Sequence, residues 1–412
     1  MRRHAFFLLL VASLVLGAGV AAAEPWPIDE PQTQGTDPQE ILQTPLFLPG
    51  EVDLSTLGVN PTELLTVGPQ VSPLSGGGGG ALIVDDDGLD CPNAQYVTIQ
   101  SAVTAATTGD RIKVCRGTYI EQVTIPAGKD DLTLFSEGAR QAIIKAPLLM
   151  TPPQAIVRVD GAQDATIRHF TITGPGGTGC NSIRYGVFVD GGGSALITDN
   201  HITQIRDAGP TLSGCQNGIG VSVGRALPPD GPTVGSATVV HNLIDGYQKG
   251  GILVDHTGSS AEVAYNEVVG EGPTIFNAQN GIQVSRDAIV DVHHNKVSQN
   301  FYSPAGTTAT GLLLFDNPDA RVHHNDVFMN EAGIAISAVI GTADVSFNSA
   351  RGNFDGIVAF SGTADNLISH NKAFQNTRFD CRDDTTPTVN DWVKDLGRTQ
   401  NQPGLCKQAG PQ

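Results

Sequence analysis

Basic residues are scarce in this 412-residue chain: 24 Lys and Arg stand against 42 Asp and Glu, a formal charge of −18. A surface so short of cations repels polyanions, so no nucleic-acid partner is expected. An anionic polysaccharide would need a local basic patch or a bridging cation, which makes Ca²⁺ a candidate cofactor; a neutral glycan needs neither. Long apolar runs are also missing. Past the first two dozen residues no segment is long and apolar enough to span a bilayer, so no membrane insertion is expected. The six cysteines lack the spacing of a zinc site.

The first 23 residues read as a secretory signal: Arg2 and Arg3, an apolar stretch from Ala5 to Val20, then small residues Ala21 to Ala23. Loss of Arg2 and Arg3 would take the charge from −18 to −20. The expected location is secreted, extracellular or periplasmic, where disulfides persist. Residues 24–80 hold nine prolines before Ser75 and end in a five-glycine run, the composition of a disordered leader or spacer. Pairing cysteines with their sequence neighbours predicts Cys91–Cys115, Cys180–Cys215 and Cys381–Cys406.

Between about 186 and 373 a two-beat phrase recurs. One beat is Gly followed by alternating apolar residues, at Gly186, Gly218, Gly251, Gly281, Gly311, Gly333 and Gly356. The other is an apolar residue three places before Asn, at Asn200, Asn242, Asn266, Asn295, Asn325, Asn348 and Asn371. Short strands repeating at such intervals read as a solenoid. Folding is expected to start at Ala81, with an amphipathic helix over Thr98–Ala106 lying across the first rung.

Asp85-Asp-Asp-Gly88, Tyr96-Val-Thr-Ile-Gln100 and Gly117-Thr-Tyr-Ile-Glu121, followed by the Gly-Ile and His-Asn phrases, resemble a pectin-lyase-like right-handed parallel β-helix. The resemblance runs from 81 to 406 and includes a closing segment around Asp380, Cys381, Trp392 and Cys406. It implies an all-β, three-sheet parallel β-helix over 81–412. A cap and first coil would occupy 81–125 and a C-terminal cap 374–412, in a chain expected to act as a monomer. It also implies an Asn ladder at one bend, where Asn tolerates a left-handed backbone and stacked amides hydrogen-bond.

The repeat serves as a ruler. The Gly-to-Asn arc is nearly constant except at Gly224–Gly235, whereas the return arc ranges from 18 residues (Asn200 to Gly218) to eight (Asn325 to Gly333). Long returns cluster at 201–217, 267–280 and 296–310, and loops that vary on a rigid scaffold are where binding usually resides. Ionisable residues gather on the neighbouring Gly strands. Lys249, Asp255, Asp190 and Arg286 are the catalytic candidates; Arg184, His256, Asp287 and Asp316 are the substrate-binding candidates.

Asp190 and Asp255, two coils apart, should stand roughly 9–10 Å from each other, the upper limit for an inverting hydrolase. On these coils the paired Asp-Asp and the Gly-His-Gly of polygalacturonases do not occur, however, and the Asp-Pro-His motif of alginate epimerases is missing. A uronate lyase or epimerase would use Lys249, Arg184 or Arg286 against the substrate, with Asp190 and Asp255 holding Ca²⁺. The leading expectation is recognition, with or without processing, of an extracellular polysaccharide. The alternative is a non-catalytic adhesive solenoid that binds glycan or protein. A minor reading starts from the histidines: His241, His294, His324 and His370 each precede a ladder Asn, and His293 and His323 stand one place earlier. Such a stack suits copper or zinc, or simply suits the bend.

Overall fold

The computed structural model describes residues 81–408 except 305 and 318. The expected signal segment, the leader and the last four residues lie outside that range. Each coil contributes three short strands. One precedes the ladder Asn, as in Ser194–Thr198; one follows it, as in His201–Thr203; one carries the Gly beat, as in Tyr185–Asp190. Every pairing is in parallel register between successive coils, for example Ile197 beside Val239 and Ile202 beside Ile244. The result is one sheet of twelve strands and two of ten, wound as a parallel β-helix.

Strand alternation sends the residue after each register glycine inward: Val187, Val221, Ile252, Ile282, Leu312, Ile334 and Ile357 form one continuous core. The glycine itself is forced by space. A Cβ on Gly281 would lie 2.3 Å from Val297 Cγ1 and 2.7 Å from the Gly311 carbonyl, so the Gly strand could not approach its neighbours. The register corrects the repeat in one coil. Ile219 pairs with Tyr185 and Val221 with Val187, which puts Gly220, not Gly218, in the glycine column.

The Asn ladder forms along the expected bend. Each amide donates to the next side-chain carbonyl, from Asn200 to Asn242 (3.1 Å) through Asn348 to Asn371 (3.0 Å). A ladder running in one direction ends needing only an acceptor, and Asp395 supplies it to Asn371 at 2.9 Å. The left-handed residue is the one before each Asn: His241, Tyr265, His294, His324, Phe347 and His370 have φ between 56° and 59° or within a degree of it. The Asn therefore serves the bend through its hydrogen bonds and not, as expected, through its own backbone. A second ladder was not anticipated: Asn300, Asn330, Asn353 and Asn376 stack at the next bend and end on Asp380.

The helix Ile99–Ala105 closes the first coil, with Thr98 capping it and Ile99, Ala102 and Val103 buried. Glu121 accepts the free N–H groups of Ile99 and Gln100 at 2.8 Å each, which pins the helix start to the coil beneath. Gly117–Ile120, within the resemblance motif, is a strand of the first coil. At the other end Phe379–Asp383 and Asp391–Val393 extend two sheets, so the closing segment begins as a further coil. All three disulfides join the expected partners, which fits an oxidising compartment. Among the described residues no helix is long and apolar enough to cross a membrane.

Candidate functional site

The outer face of the Gly-strand sheet is roofed in the early coils. The insertion after Gly224 folds back on itself, with Arg225 and Thr233 paired antiparallel. It is tied down twice. Asp230 meets Arg184 at 2.6 Å and accepts the Tyr185 hydroxyl at 2.8 Å, while the Ala226 N–H donates to Asp255 at 2.8 Å. Two of the long returns begin as strands. Glu267–Thr274 and Lys296–Tyr302 pair through a bulge between Val269 and Gly272 and continue past the coil as a wall, Thr274 beside Tyr302. The third return is held by Asp207, which accepts from Ser182 and Ser213, and by Gln248, fully buried, which donates to Asp207 and to the Cys215 and Asn217 carbonyls. Cys180–Cys215 closes this corner.

Between roof and walls lies a cleft of about 920 Å³. Its cations are Arg184, Arg225 and Lys249; its amides include Asn181, Asn217, Asn277 and Asn280; Tyr302, Phe276, Leu313 and Phe360 give it apolar surface. Among the described lining residues none is Asp or Glu, in a chain of charge −18. Lys249 is 7% exposed and its ammonium donates to the Ala278 carbonyl at 2.7 Å. Just beneath, Glu331 accepts the N–H groups of Ala309 and Tyr302, and burial pushes its carboxyl up to about 7. The walls are thus preformed and held by buried hydrogen bonds, so a ligand would not have to order them.

Two of the eight sequence candidates, Arg184 and Lys249, line this cleft together. The other six sit at the opposite end of the same strands. Lys249 and Asp255 flank the strand Gly250–Asp255, and its rise separates them by roughly 20 Å. Asp255 is fully buried, accepting from Ser285 and Arg286 at 2.9 Å each. Asp190 is bound by both arms of Arg158, and burial raises its carboxyl pKa against that pull. Arg286 lies over the Phe315 ring, 5.5 Å from its centroid. His256, Arg286, Asp287 and Asp316 all have positive φ and form the turns that leave the strands. Along the Gly strands Asp190 aligns with Asp160, and Ser222 with Phe188 and Leu253. Arg225, Phe276, Asn277 and Tyr302 were missed. Arg225 belongs to the one break in the constant arc, which was the available signal.

A different face carries a shallow groove of about 650 Å³ over the sheet that precedes the Asn bend. Asp164, Glu262, Asp291 and Asp319 line it, with Arg321 the one cation among its described residues. The two faces are therefore opposite in charge.

The model for the right-handed β-helix region matches residues 231–389, which agrees with the handedness of nearly all parallel crossovers. No curated protein matches. Among solved structures, XylC in complex with xylose is 14% identical, with a TM-score of 0.50, over 77% of this chain and 76% of that one. The Aspergillus niger pectin methylesterase is 12% identical, with a TM-score of 0.38, over 82% and 92%. The Eubacterium ramulus GH136 lacto-N-biosidase is 14% identical, with a TM-score of 0.45, over 78% and 67%. At 14% identity the likeness to XylC extends to fold alone.

Proposed function

We propose that the chain binds an extracellular polysaccharide in the cleft over its early Gly strands. The carrying observation is the lining: cations, amides and hydroxyls beside Phe276, Tyr302 and Phe360, with no acidic side chain among its described residues, on an otherwise acidic protein. Amides and hydroxyls hydrogen-bond sugar hydroxyls, and aromatic or aliphatic surface packs against the apolar faces of pyranose rings. Arg184, Arg225 and Lys249 add attraction for a glycan carboxylate or sulfate without any bridging metal, so Ca²⁺ chelation should leave binding unchanged.

The reading favours binding over hydrolysis. Glycoside hydrolysis runs on two opposed carboxylates, and the cleft offers none among its described residues. Lys249 and Tyr302 are the groups among the described lining residues able to exchange a proton, so any turnover would be of the uronate-eliminating kind with Lys249 against the sugar. Asp255, Asp190 and Arg286 take supporting roles, with Asp255 holding the roof through Ala226.

The test is a panel of pectate, alginate, glycosaminoglycans and neutral glycans, measured by calorimetry with and without EDTA. Absorbance of unsaturated uronate is followed in parallel. Binding by at least one glycan, weakened tenfold or more by Lys249→Met, is expected. Absence of binding across the panel would overturn the reading.

A further inference from the structure

The histidines on the acidic face form something more specific than a stack. In two consecutive coils a His-His dipeptide turns both δ nitrogens toward each other: His293 and His294 Nδ1 are 2.9 Å apart, and so are His323 and His324 Nδ1. The rings of each pair stand at nearly right angles, while the pairs stack on one another at 5.1 and 5.2 Å. The backbone fixes this arrangement. His293 and His323 end their strands in register. His294 and His324 occupy the left-handed bend position, and the Asn ladder locks both bends.

The other ring nitrogens settle the tautomer. His293 Nε2 faces Glu262 at 3.3 Å and His323 Nε2 faces Asp291 at 2.8 Å. A carboxylate accepts the N–H of the nitrogen it faces, so the proton stays on Nε2 and the Nδ1 lone pair of His293 and His323 is directed at its neighbour. Carboxylates behind the far nitrogen of an imidazole orient it for a metal in the same way. Across the 2.9 Å contact His294 and His324 donate Nδ1–H to that lone pair; both residues are exposed, so an ion can displace this proton to Nε2 or to solvent. Both δ nitrogens of each pair then offer lone pairs to one ion.

We infer that each His-His pair, His293–His294 and His323–His324, is a two-nitrogen chelate for a divalent transition ion, with Cu²⁺ preferred over Zn²⁺. Two nitrogens 2.9 Å apart, each about 2.0–2.1 Å from a metal, subtend roughly 90° there. That is the cis angle of a square-planar or tetragonal site, which suits Cu²⁺, and is narrower than the tetrahedral angle Zn²⁺ takes. The two pairs are one coil apart, too far for one ion to reach all four nitrogens, so two ions bind with water completing each site. The acidic groove containing Glu262 and Asp291 supplies attraction for cations. The rings stack face to face along the solenoid, so solvent meets their edges and nitrogens. That arrangement presents donor atoms, whereas a sugar platform would need exposed ring faces.

The experiment uses the full chain without an affinity tag, titrated with Cu²⁺ and separately with Zn²⁺ near neutral pH. Visible absorption and electron paramagnetic resonance read the copper. Two Cu²⁺ per chain with nitrogen hyperfine coupling, and at least tenfold weaker Zn²⁺, are expected. The double variant His294→Asn/His324→Asn keeps residues that tolerate the bend and should lose both ions, with thermal stability as a check of folding. His370→Asn, at the same bend position but preceded by Ser369, should keep them. Equal copper uptake by wild type and the double variant would overturn the inference, as would a preference for Zn²⁺.

Discussion

Asp395 ends the first Asn ladder, and its charge can be switched by one substitution. The side chain is 1% exposed, and one oxygen accepts the backbone and amide N–H of Asn371, both at 2.9 Å. The other oxygen is buried without a hydrogen-bond partner. Burial pushes the carboxyl up from 3.8 to about 7 despite those donors. The proton is then held more tightly in the folded chain than in the unfolded one. Its contribution to stability is complete below the unfolded value and is lost as pH rises through the folded one, so stability falls between about pH 4 and pH 7. Each tenfold change in proton affinity is worth ~1.4 kcal/mol, so the upper limit is on the order of 4 kcal/mol. Relaxation and water access should reduce that to roughly 2 kcal/mol. Asp395→Asn keeps the acceptor for Asn371 and removes the charge. It should match the wild type near pH 4 and exceed it by roughly 2 kcal/mol at pH 8. A solenoid can fray from one end, so the probe must be local. Trp392, in the adjoining strand Asp391–Val393, provides one during urea unfolding. A variant less stable than wild type at pH 8, or with the same pH slope, would refute the assignment of a destabilising buried charge.

Other consequences follow from the same coils. Asn295→Leu removes the acceptor of the Asn266 backbone and side-chain N–H groups, both at 3.0 Å. At about 1–3 kcal/mol per buried orphan, it should cost ~3–5 kcal/mol in thermal or urea unfolding. Gly281→Ala should be far more damaging than Gly192→Ala by differential scanning calorimetry. The first Cβ meets Val297 and a carbonyl, whereas the second has nothing within 4 Å and only its φ of 79° to strain. Replacing Cys180 and Cys215 by Ser should weaken glycan affinity measured by calorimetry while far-ultraviolet circular dichroism stays that of the wild type, because this disulfide closes a corner of the cleft and not the solenoid.

The scaffold was legible because its constraints repeat. A glycine that a Cβ would drive into the next coil, and an Asn that must donate onward, leave the same mark every coil. The second ladder left it too, in Val297…Asn300 and Val327…Asn330, but the first ladder's marks lie so close that they absorbed the pattern. The register slip at Gly218 arose because Gly-Ile-Gly-Val offers two glycines, and the pairing of Ile219 with Tyr185 and Gly250 distinguishes them. The site was legible as a region. Long returns pointed to the face that carries the cleft, yet the charged residues beside them divided between the two ends of the strands. Sequence gives the side of the sheet on which a residue stands. It does not give which end the roof covers, because Asp230, Arg225 and the strand pairing of Thr274 with Tyr302 depend on how insertions fold against one another.

The central claim is the location of the glycan. Hydrogen exchange of the full chain with and without a glycan that binds tests it most directly. Protection should gather at 181–184, 214–217, 275–280, 302 and 307–310, the walls of the cleft, and should disappear in Lys249→Met at the same glycan concentration. Protection confined to the acidic groove around Glu262 and Asp291, or to the turns at His256 and Arg286, would contradict it.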